Sequence, residues 1–175
     1  ERAEMADVTL GKTKITVNKN GFGALPVQRV SVEEAGTLLK KAFNHGITFF
    51  DTARAYSDSE EKLGLAFEGI REKIYIATKT AADTAEGFRR DLEESLRLLK
   101  TDYIDLYQFY NPAVCPKPGD GSGLYQAMLV ARDRGTVRHI GITNHRLHEA
   151  AAAGDTGPYE PMQSPSPYHA SHTEL

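Results

Sequence analysis

The sequence predicts an α/β fold in which a parallel sheet is covered by helices. Strand-like and helix-like segments alternate along the 175 residues. The strand-like segments at 103–109 and 137–143 are nearly continuous apolar runs, which is typical of strands buried on both faces. Polar residues recur where these runs end, as they do at the functional edge of a parallel sheet. Together these observations favour parallel strands joined by helical crossovers.

The first predicted elements are a short hairpin, a glycine-rich strand and a helix. Residues 8–10 and 14–17, joined around Gly11, are predicted to pair as the hairpin, and residues 20–24 form the strand and its turn. The helix is predicted after Ser31, because Ser31 and Glu34 have the capping-box spacing and apolar residues then recur at helical intervals.

The rest of the chain repeats a strand and a helix. Strands are predicted at residues 48–50, 74–78, 103–109 and 137–143, and helices at residues 59–67, 124–134 and 147–153. A further helix is capped by residues 83–86, and Gly135 and Gly154 end the last two helices. Residues 111–123 are rich in Pro and Gly and form a loop. The prediction is therefore an N-terminal hairpin followed by about five to six strand–helix units.

Composition limits the function classes. The content of 40% hydrophobic and 26% charged residues is ordinary for a globular protein, and the formal net charge of −3 gives no electrostatic case for binding nucleic acid or an anionic membrane. No apolar run approaches the roughly 20 residues of a membrane span. The single Cys115 excludes an internal disulfide and any multi-cysteine cluster, and the histidines lack a zinc-binding arrangement. We expect a cytoplasmic protein without a metal ion.

Polar side chains follow four successive predicted strands. They are Asp51, Lys79, Tyr110 with Asn111, and Thr143 with Asn144. Because the carboxyl ends of parallel strands meet at one edge, we expect one shared site there. Tyr56 lies in a polar turn five residues after Asp51, at the start of a helix. Together with Lys79, these residues indicate a site of proton transfer.

Four segments resemble the aldo-keto reductase family. They are residues 50–60 (FDTARAYSDSE), 77–79 (ATK), 103–109 (YIDLYQF) and 141–144 (GITN), and the resemblance spans about residues 8 to 163. It implies a (β/α)8 TIM barrel, here partial, that uses NADP(H) to reduce a small carbonyl substrate. Residues 108–112 further resemble bacterial members that often carry a C-terminal iron–sulfur extension, which a chain with one cysteine lacks.

The resemblance assigns roles to three side chains. Tyr56 would be the acid that protonates the carbonyl oxygen as hydride arrives, because the charge developing on that oxygen must be neutralised. A phenol has a pKa of about 10, so the Lys79 ammonium is expected to ease proton donation. Asp51 would keep Lys79 charged and oriented. The alternative is a strand-end ion pair between Asp51 and Lys79 beside an ordinary tyrosine.

The fourth catalytic position of the family is a histidine, and this chain has Tyr110 there. The family histidine donates a hydrogen bond that orients the substrate carbonyl. Tyr110 keeps a donor but takes more room, and loss of one such donor typically costs ~2.7–4 kcal/mol of transition-state stabilisation. Impaired reduction is therefore expected. A non-catalytic relative that senses cofactor or binds a partner is the alternative function.

The resemblance also implies a set of cofactor contacts. Thr143, Asn144 and Gln163 would hold the nicotinamide carboxamide, while Gly23 and Ala24 would lie close to the ring, near Asp51. A tight turn is the alternative for residues 21–23, and a helix N-cap is the alternative for Asn144.

The two ends of the chain differ from its middle. Residues 1–6 are expected to be a leader or disordered, residues 7–160 a partial barrel, and residues 161–175 an irregular tail rich in Pro, Ser and His. A barrel of this kind typically takes about 250 residues. We therefore expect an open sheet with unpaired edges near Gly23 and Met162, which favours self-association. A frameshift or a deliberately shortened polypeptide is the expected origin of this tail.

Overall fold

A computed structural model describes residues 6–144, 159–160 and 162–163 of the chain. The chain begins with the predicted hairpin. Strand β1 (Asp7–Thr9) pairs antiparallel with β2 (Thr16–Asn18), with Val8 opposite Val17. Val17 is buried, and the backbone N–H of Lys12 in the hairpin turn donates to the carbonyl of Glu160 over 3.4 Å. The hairpin is therefore confirmed as a separate two-stranded sheet.

Six parallel strands form the main sheet in chain order. They are β3 (Phe22–Gly23), β4 (Phe49–Asp51), β5 (Tyr75–Thr80), β6 (Ile104–Tyr110), β7 (Val137–Thr143) and β8 (Met162–Gln163). Each strand pairs with its neighbours in sequence, which confirms the predicted α/β fold as a partial barrel. Among the described residues, β3 and β8 are the two edge strands, at the predicted places.

Helices connect these strands and cover one face of the sheet. They are α1 (Val32–Asn44), α2 (Ser59–Ala66), α3 (Ala85–Leu99) and α4 (Leu124–Asp133), with 3-10 turns at Leu25–Arg29 and Arg71–Lys73. The predicted capping box of α1 is present: the backbone N–H of Glu34 donates to the Ser31 hydroxyl, and the Glu34 carboxylate accepts from the backbone N–H of Ser31.

Helix α3 begins one residue later than predicted. Its N-cap is Thr84, whose hydroxyl accepts from the backbone N–H of Gly87 over 3.1 Å, so Asp83 is not the cap. Thr84 has the extended backbone that an N-cap requires, and its hydroxyl accepts from the backbone N–H three residues further on, as an N-cap side chain does. The helix ends at Leu99 and is followed by the C-cap residue Lys100, which adopts a left-handed conformation.

The segment after β7 is described only in part. The helix predicted at residues 147–153 lies outside the described residues, as do residues 1–5 and 164–175. Met162 and Gln163 pair with Ile142 and Thr143. The start of the tail rich in Pro, Ser and His therefore contributes two residues to the sheet, although its composition is unlike that of an interior strand. The proposed limits 1–6, 7–160 and 161–175 stay a prediction.

The core lies between the sheet and the helices. Phe50 of β4 packs against Phe67 with ring centroids 4.6 Å apart, and Phe88 of α3 packs edge-on against Tyr107 at 5.5 Å. All four rings are buried. In the part of the chain that the structure describes, no helix combines the length and apolar character of a membrane span.

Close packing between α2 and α3 depends on Gly64. A Cβ at Gly64 would lie 2.2 Å from the backbone oxygen of Leu98, and backbone cannot give way as a flexible side chain can. We expect Gly64→Ala to lower the free energy of unfolding by about 1–3 kcal/mol in a urea titration. Gly36→Ala in α1 is the control, because its Cβ meets nothing within 4 Å. Gly36→Ala should raise the free energy of unfolding by roughly 0.5–1 kcal/mol. Equal stability of the two variants would contradict the close packing at Gly64.

Candidate active site

The predicted site residues meet at the carboxyl end of the sheet. Asp51 ends β4, Lys79 is next to last in β5, Tyr110 ends β6 and Thr143 ends β7. Because the four strands are parallel neighbours, these side chains belong to one edge, as the sequence predicts. The register places Tyr110 beside Thr143 and Thr143 beside Gln163.

Lys79 is a buried cation held by Asp51. Its Nζ donates to the Asp51 carboxylate over 2.6 Å and to the carbonyl of Thr52 over 2.8 Å, and the lysine is only 2% exposed. Burial lowers the pKa of Lys79, while the charge of Asp51 and its hydrogen bond oppose that change. Asp51 therefore supports the charged form of Lys79, in agreement with the role that the resemblance implies for Asp51.

Tyr56 lies beside both Lys79 and Tyr110. It sits in the turn between β4 and α2, where its backbone N–H donates to the carbonyl of Ala53 over 3.0 Å. The Nζ of Lys79 lies 5.4 Å from the centroid of the Tyr56 ring. The rings of Tyr56 and Tyr110 meet edge-on, at 6.2 Å and 88°. The structure thus brings all four predicted catalytic residues together.

The surroundings of Tyr56 raise the pKa of its hydroxyl. The causes are burial, a hydrogen bond with Tyr110 and the charges of Tyr110 and Asp51. A phenol with a raised pKa keeps its proton throughout the neutral range. In this structure Tyr56 is therefore a protonated donor, and the easing of its proton release by Lys79 stays a prediction.

Two of the three residues predicted to hold the carboxamide lie at the end of β7. The Thr143 hydroxyl donates to the Gln108 amide oxygen over 3.1 Å, and the Asn144 amide donates to the carbonyl of Pro112 over 3.4 Å. Asn144 is 1% exposed, so its side chain is buried directly after the end of β7. The helix that Asn144 would cap lies outside the described residues, so that alternative is not tested. Gln163 is described only as a residue of β8.

Gly23 and Ala24 border Asp51 from the other side. Gly23 lies beside Asp51 in the β3–β4 register, and the backbone N–H of Ala24 donates to the Asp51 carbonyl over 2.8 Å. Residues 22–23 form a strand, and neither Gly21 nor Gly23 has a positive φ, which argues against the tight-turn alternative. A Cβ at Gly23 would meet nothing within 4 Å, so protein atoms leave this position open.

A cleft adjoins Tyr110 between two loops. It has a volume of about 490 Å³ and lies between the β5–α3 connection and the loop after β6, next to Thr80, Tyr110, Pro112 and Val114. Asn111 in that loop has a φ of 47°, and its backbone N–H donates to the Thr143 carbonyl over 2.6 Å. The loop is therefore attached to the strand that carries the predicted carboxamide contacts.

Sequence reasoning missed two residues behind the site, Arg54 and Glu60. Both stand in the quoted segment 50–60, but their pairing was not predicted. The Arg54 guanidinium donates to the Glu60 carboxylate, and Glu60 is fully buried. A charged residue at a helix position facing the core was the available signal. Among the described residues, no group of three or more His, Cys, Asp or Glu side chains could hold a metal ion.

Comparison with known proteins gives the family. The model of the aldo/keto reductase family matches residues 17–171. Methylglyoxal reductase DkgA of Escherichia coli O157:H7 is 35% identical over 127 residues, which are 71% of this chain and 45% of that protein. The chain spans about half the length of the curated relatives that it matches.

Solved structures agree with this match. An aldo-keto reductase from Klebsiella pneumoniae, in complex with NADPH, aligns with a TM-score of 0.75 at 26% identity, over 87% of this chain and 55% of that one. Aldo-keto reductase AKR11C1 from Bacillus halodurans (holo form) aligns with a TM-score of 0.82 over 93% of this chain and 58% of that one; at 24% identity, it supports the fold alone. With the family model covering most of its length, the chain belongs to the aldo/keto reductase family of oxidoreductases.

Proposed function

We propose that this chain provides the proton-transfer site of an NADPH-dependent carbonyl reductase. The observation that carries the proposal is the cluster of Asp51, Tyr56, Lys79 and Tyr110 at one end of the sheet. A small aldehyde or ketone is the proposed substrate class, since the relative from Escherichia coli O157:H7 is named for methylglyoxal. Bound NADPH would supply the hydride.

The residues of this chain would supply the proton. Tyr56 would donate its hydroxyl proton to the carbonyl oxygen, because its raised pKa keeps the phenol protonated and its ring lies beside Lys79. Lys79 would place a positive charge beside Tyr56 and thereby favour the phenolate left after donation. Asp51 would keep that lysine charged despite its burial.

The residues around the cluster fit a nicotinamide cofactor. Gly23 presents an open position beside Asp51, as required where a flat ring approaches backbone closely. Thr143 and Asn144 provide a hydroxyl and an amide at the end of β7, and Gln163 follows Thr143 in the register. These groups would hold the carboxamide, and Ala24 would lie near the ring. The proposal includes no metal ion and no iron–sulfur cluster.

NADPH fluorescence measures the binding step, and its oxidation on adding a carbonyl measures the reaction. We expect the 175-residue chain to bind NADPH and to oxidise it slowly with methylglyoxal as probe. Absence of binding would contradict every proposed cofactor contact. Binding without turnover would favour the second candidate function, a cofactor-sensing or partner-binding relative, which the tyrosine at position 110 supports.

Tyr110→His should raise the rate of carbonyl reduction. The reason is that an imidazole is smaller than a phenol and would no longer hold the Tyr56 hydroxyl in the hydrogen bond that raises its pKa. Steady-state kinetics with saturating NADPH is the measurement. Tyr110→Phe is the matched control, since it frees Tyr56 but offers the substrate no donor. If neither variant exceeds the original chain, Tyr110 does not limit the reaction.

We also propose that the 175-residue polypeptide self-associates through its sheet edges. Strands β3 and β8 are the edge strands of the described sheet, and unpaired edges template further pairing. Sedimentation velocity over a concentration series is the measurement, and a monodisperse monomer throughout would contradict the proposal.

With a net charge of −3, no nucleic-acid partner is proposed. We propose a cytoplasmic location, on the single cysteine in the 175 residues.

A further inference from the structure

Glu60 is a buried carboxylate that the proposed reaction does not use. It lies in the first turn of α2 and is 0% exposed. One carboxylate oxygen accepts from the Thr78 hydroxyl over 2.6 Å and from the Ser95 hydroxyl over 2.7 Å. The other accepts from the Arg54 guanidinium. Burying a charge away from water is costly, and the hydrogen bonds from these three partners offset that cost. Because moving any partner would leave the Glu60 charge less compensated, the carboxylate holds all three in place.

Arg54 connects this carboxylate to the turn that carries Tyr56. Its Nη2 donates to the carbonyl of Ser57 over 3.3 Å, and its backbone N–H donates to the carbonyl of Lys79 over 2.9 Å. The guanidinium therefore spans residues 54–57. Ser57 has a φ of 47°, a left-handed conformation that a serine keeps only where its surroundings enforce it.

The same carboxylate also contacts the strand that carries Lys79. Successive side chains of a strand point to opposite faces, so Thr78 faces the helices while Lys79 faces Asp51. Glu60 thus holds the strand of Lys79 from the helix side, and through Arg54 it holds the turn of Tyr56. Both sides of the Tyr56–Lys79 contact depend on one buried group.

We propose that Glu60, acting through Arg54, is a positioning residue that fixes the Tyr56 ring against Lys79 and Tyr110. This inference gives the proposed proton donor its geometry, so it rests on the proposed function. A purely structural Glu60 would instead support only the packing of α2 on α3 and β5. Glu60→Gln separates the two roles, because glutamine keeps the shape and can still accept from Thr78 and Ser95.

Fluorine NMR of the full chain labelled with 3-fluorotyrosine gives a readout that needs no turnover. The resonance lost in Tyr56→Phe identifies Tyr56. We expect Glu60→Gln to shift that resonance and to move its titration midpoint down, since a released ring is more hydrated. Asp91→Asn is the matched control: Asp91 accepts from the Thr80 hydroxyl over 2.6 Å and ties α3 to the same strand, but not to the turn. In the Asp91→Asn variant, the chemical shift of the Tyr56 resonance should be the same as in the original chain.

Kinetics gives the second readout. Glu60→Gln should lower kcat for carbonyl reduction by about 10- to 100-fold, because displacement of a reacting group by about 1 Å has that effect. The KM for NADPH should remain nearly unchanged, since Gly23, Thr143 and Asn144 are untouched. Arg54→Lys should recover part of kcat relative to Arg54→Gln, because lysine keeps the charge near Glu60.

The outcomes separate this inference from the proposed function. A folded Glu60→Gln chain whose Tyr56 resonance and titration match the original overturns the positioning role, whatever the activity. A displaced resonance in a chain that never reduces carbonyls supports the positioning role and contradicts the proposed function. If Glu60→Gln does not fold, Arg54→Gln, at a partly exposed position, removes the same link and decides the question by the same resonance.

Discussion

Tyr56→Phe should abolish measurable carbonyl reduction while leaving NADPH affinity nearly unchanged. The hydroxyl is the proposed proton donor, and loss of a positioned general acid typically costs about 10²–10⁴ in rate. The phenyl ring keeps the edge-on contact with Tyr110 and the approach of Lys79, so packing is preserved. Steady-state oxidation of NADPH with a small aldehyde measures the first effect, and NADPH fluorescence measures the second.

Tyr103→Phe is the matched control for that experiment. Tyr103 precedes β6 at the opposite end of the sheet, where its ring lies between the guanidinium groups of Arg71 and Arg138 at 4.2 and 3.7 Å. Removal of its hydroxyl should leave turnover intact. Undiminished reduction by Tyr56→Phe would remove Tyr56 from the role of acid, whereas equal loss in both variants would point to unfolding.

Asp105→Asn should destabilise the fold more than any surface substitution. The Asp105 carboxylate is 1% exposed and accepts from Arg71 over 2.7 Å, from the backbone N–H of Ile76 over 3.0 Å and from Arg138 over 3.1 Å. Breaking a buried ion pair from one side leaves the other charge without compensation and typically costs 3–5 kcal/mol, so a loss of about that size is expected in urea unfolding.

Arg71 determines how large that loss is. Its side chain is 13% exposed, whereas that of Arg138 is 51% exposed and can turn to water. Glu94→Gln is the control, because the Glu94–Arg97 pair is exposed and such pairs contribute about 0.2–1 kcal/mol. A loss for Asp105→Asn no larger than that for Glu94→Gln would show that Arg71 finds water once its partner is removed.

The order and type of the elements could be predicted from the sequence alone. Apolar runs predicted β4 to β7 to within a few residues, since a strand buried on both faces must be apolar throughout. The spacing of Ser31 and Glu34 predicted the capping box, because a cap involves only residues close in sequence. The meeting of Asp51 with Lys79 followed from parallel neighbouring strands, whose ends share an edge.

Contacts between elements that are far apart in sequence could not be predicted and became visible in the folded structure. It showed the Glu60 carboxylate among Arg54, Thr78 and Ser95, which come from a turn, a strand and a helix. It also showed that burial and the neighbouring Tyr110 raise the pKa of Tyr56, which neither residue's place in the sequence could reveal. Local sequence specifies hydrogen bonds between residues close in the chain and the spacing of apolar residues along each element. Desolvation and long-range contacts exist only once the helices have packed on the sheet.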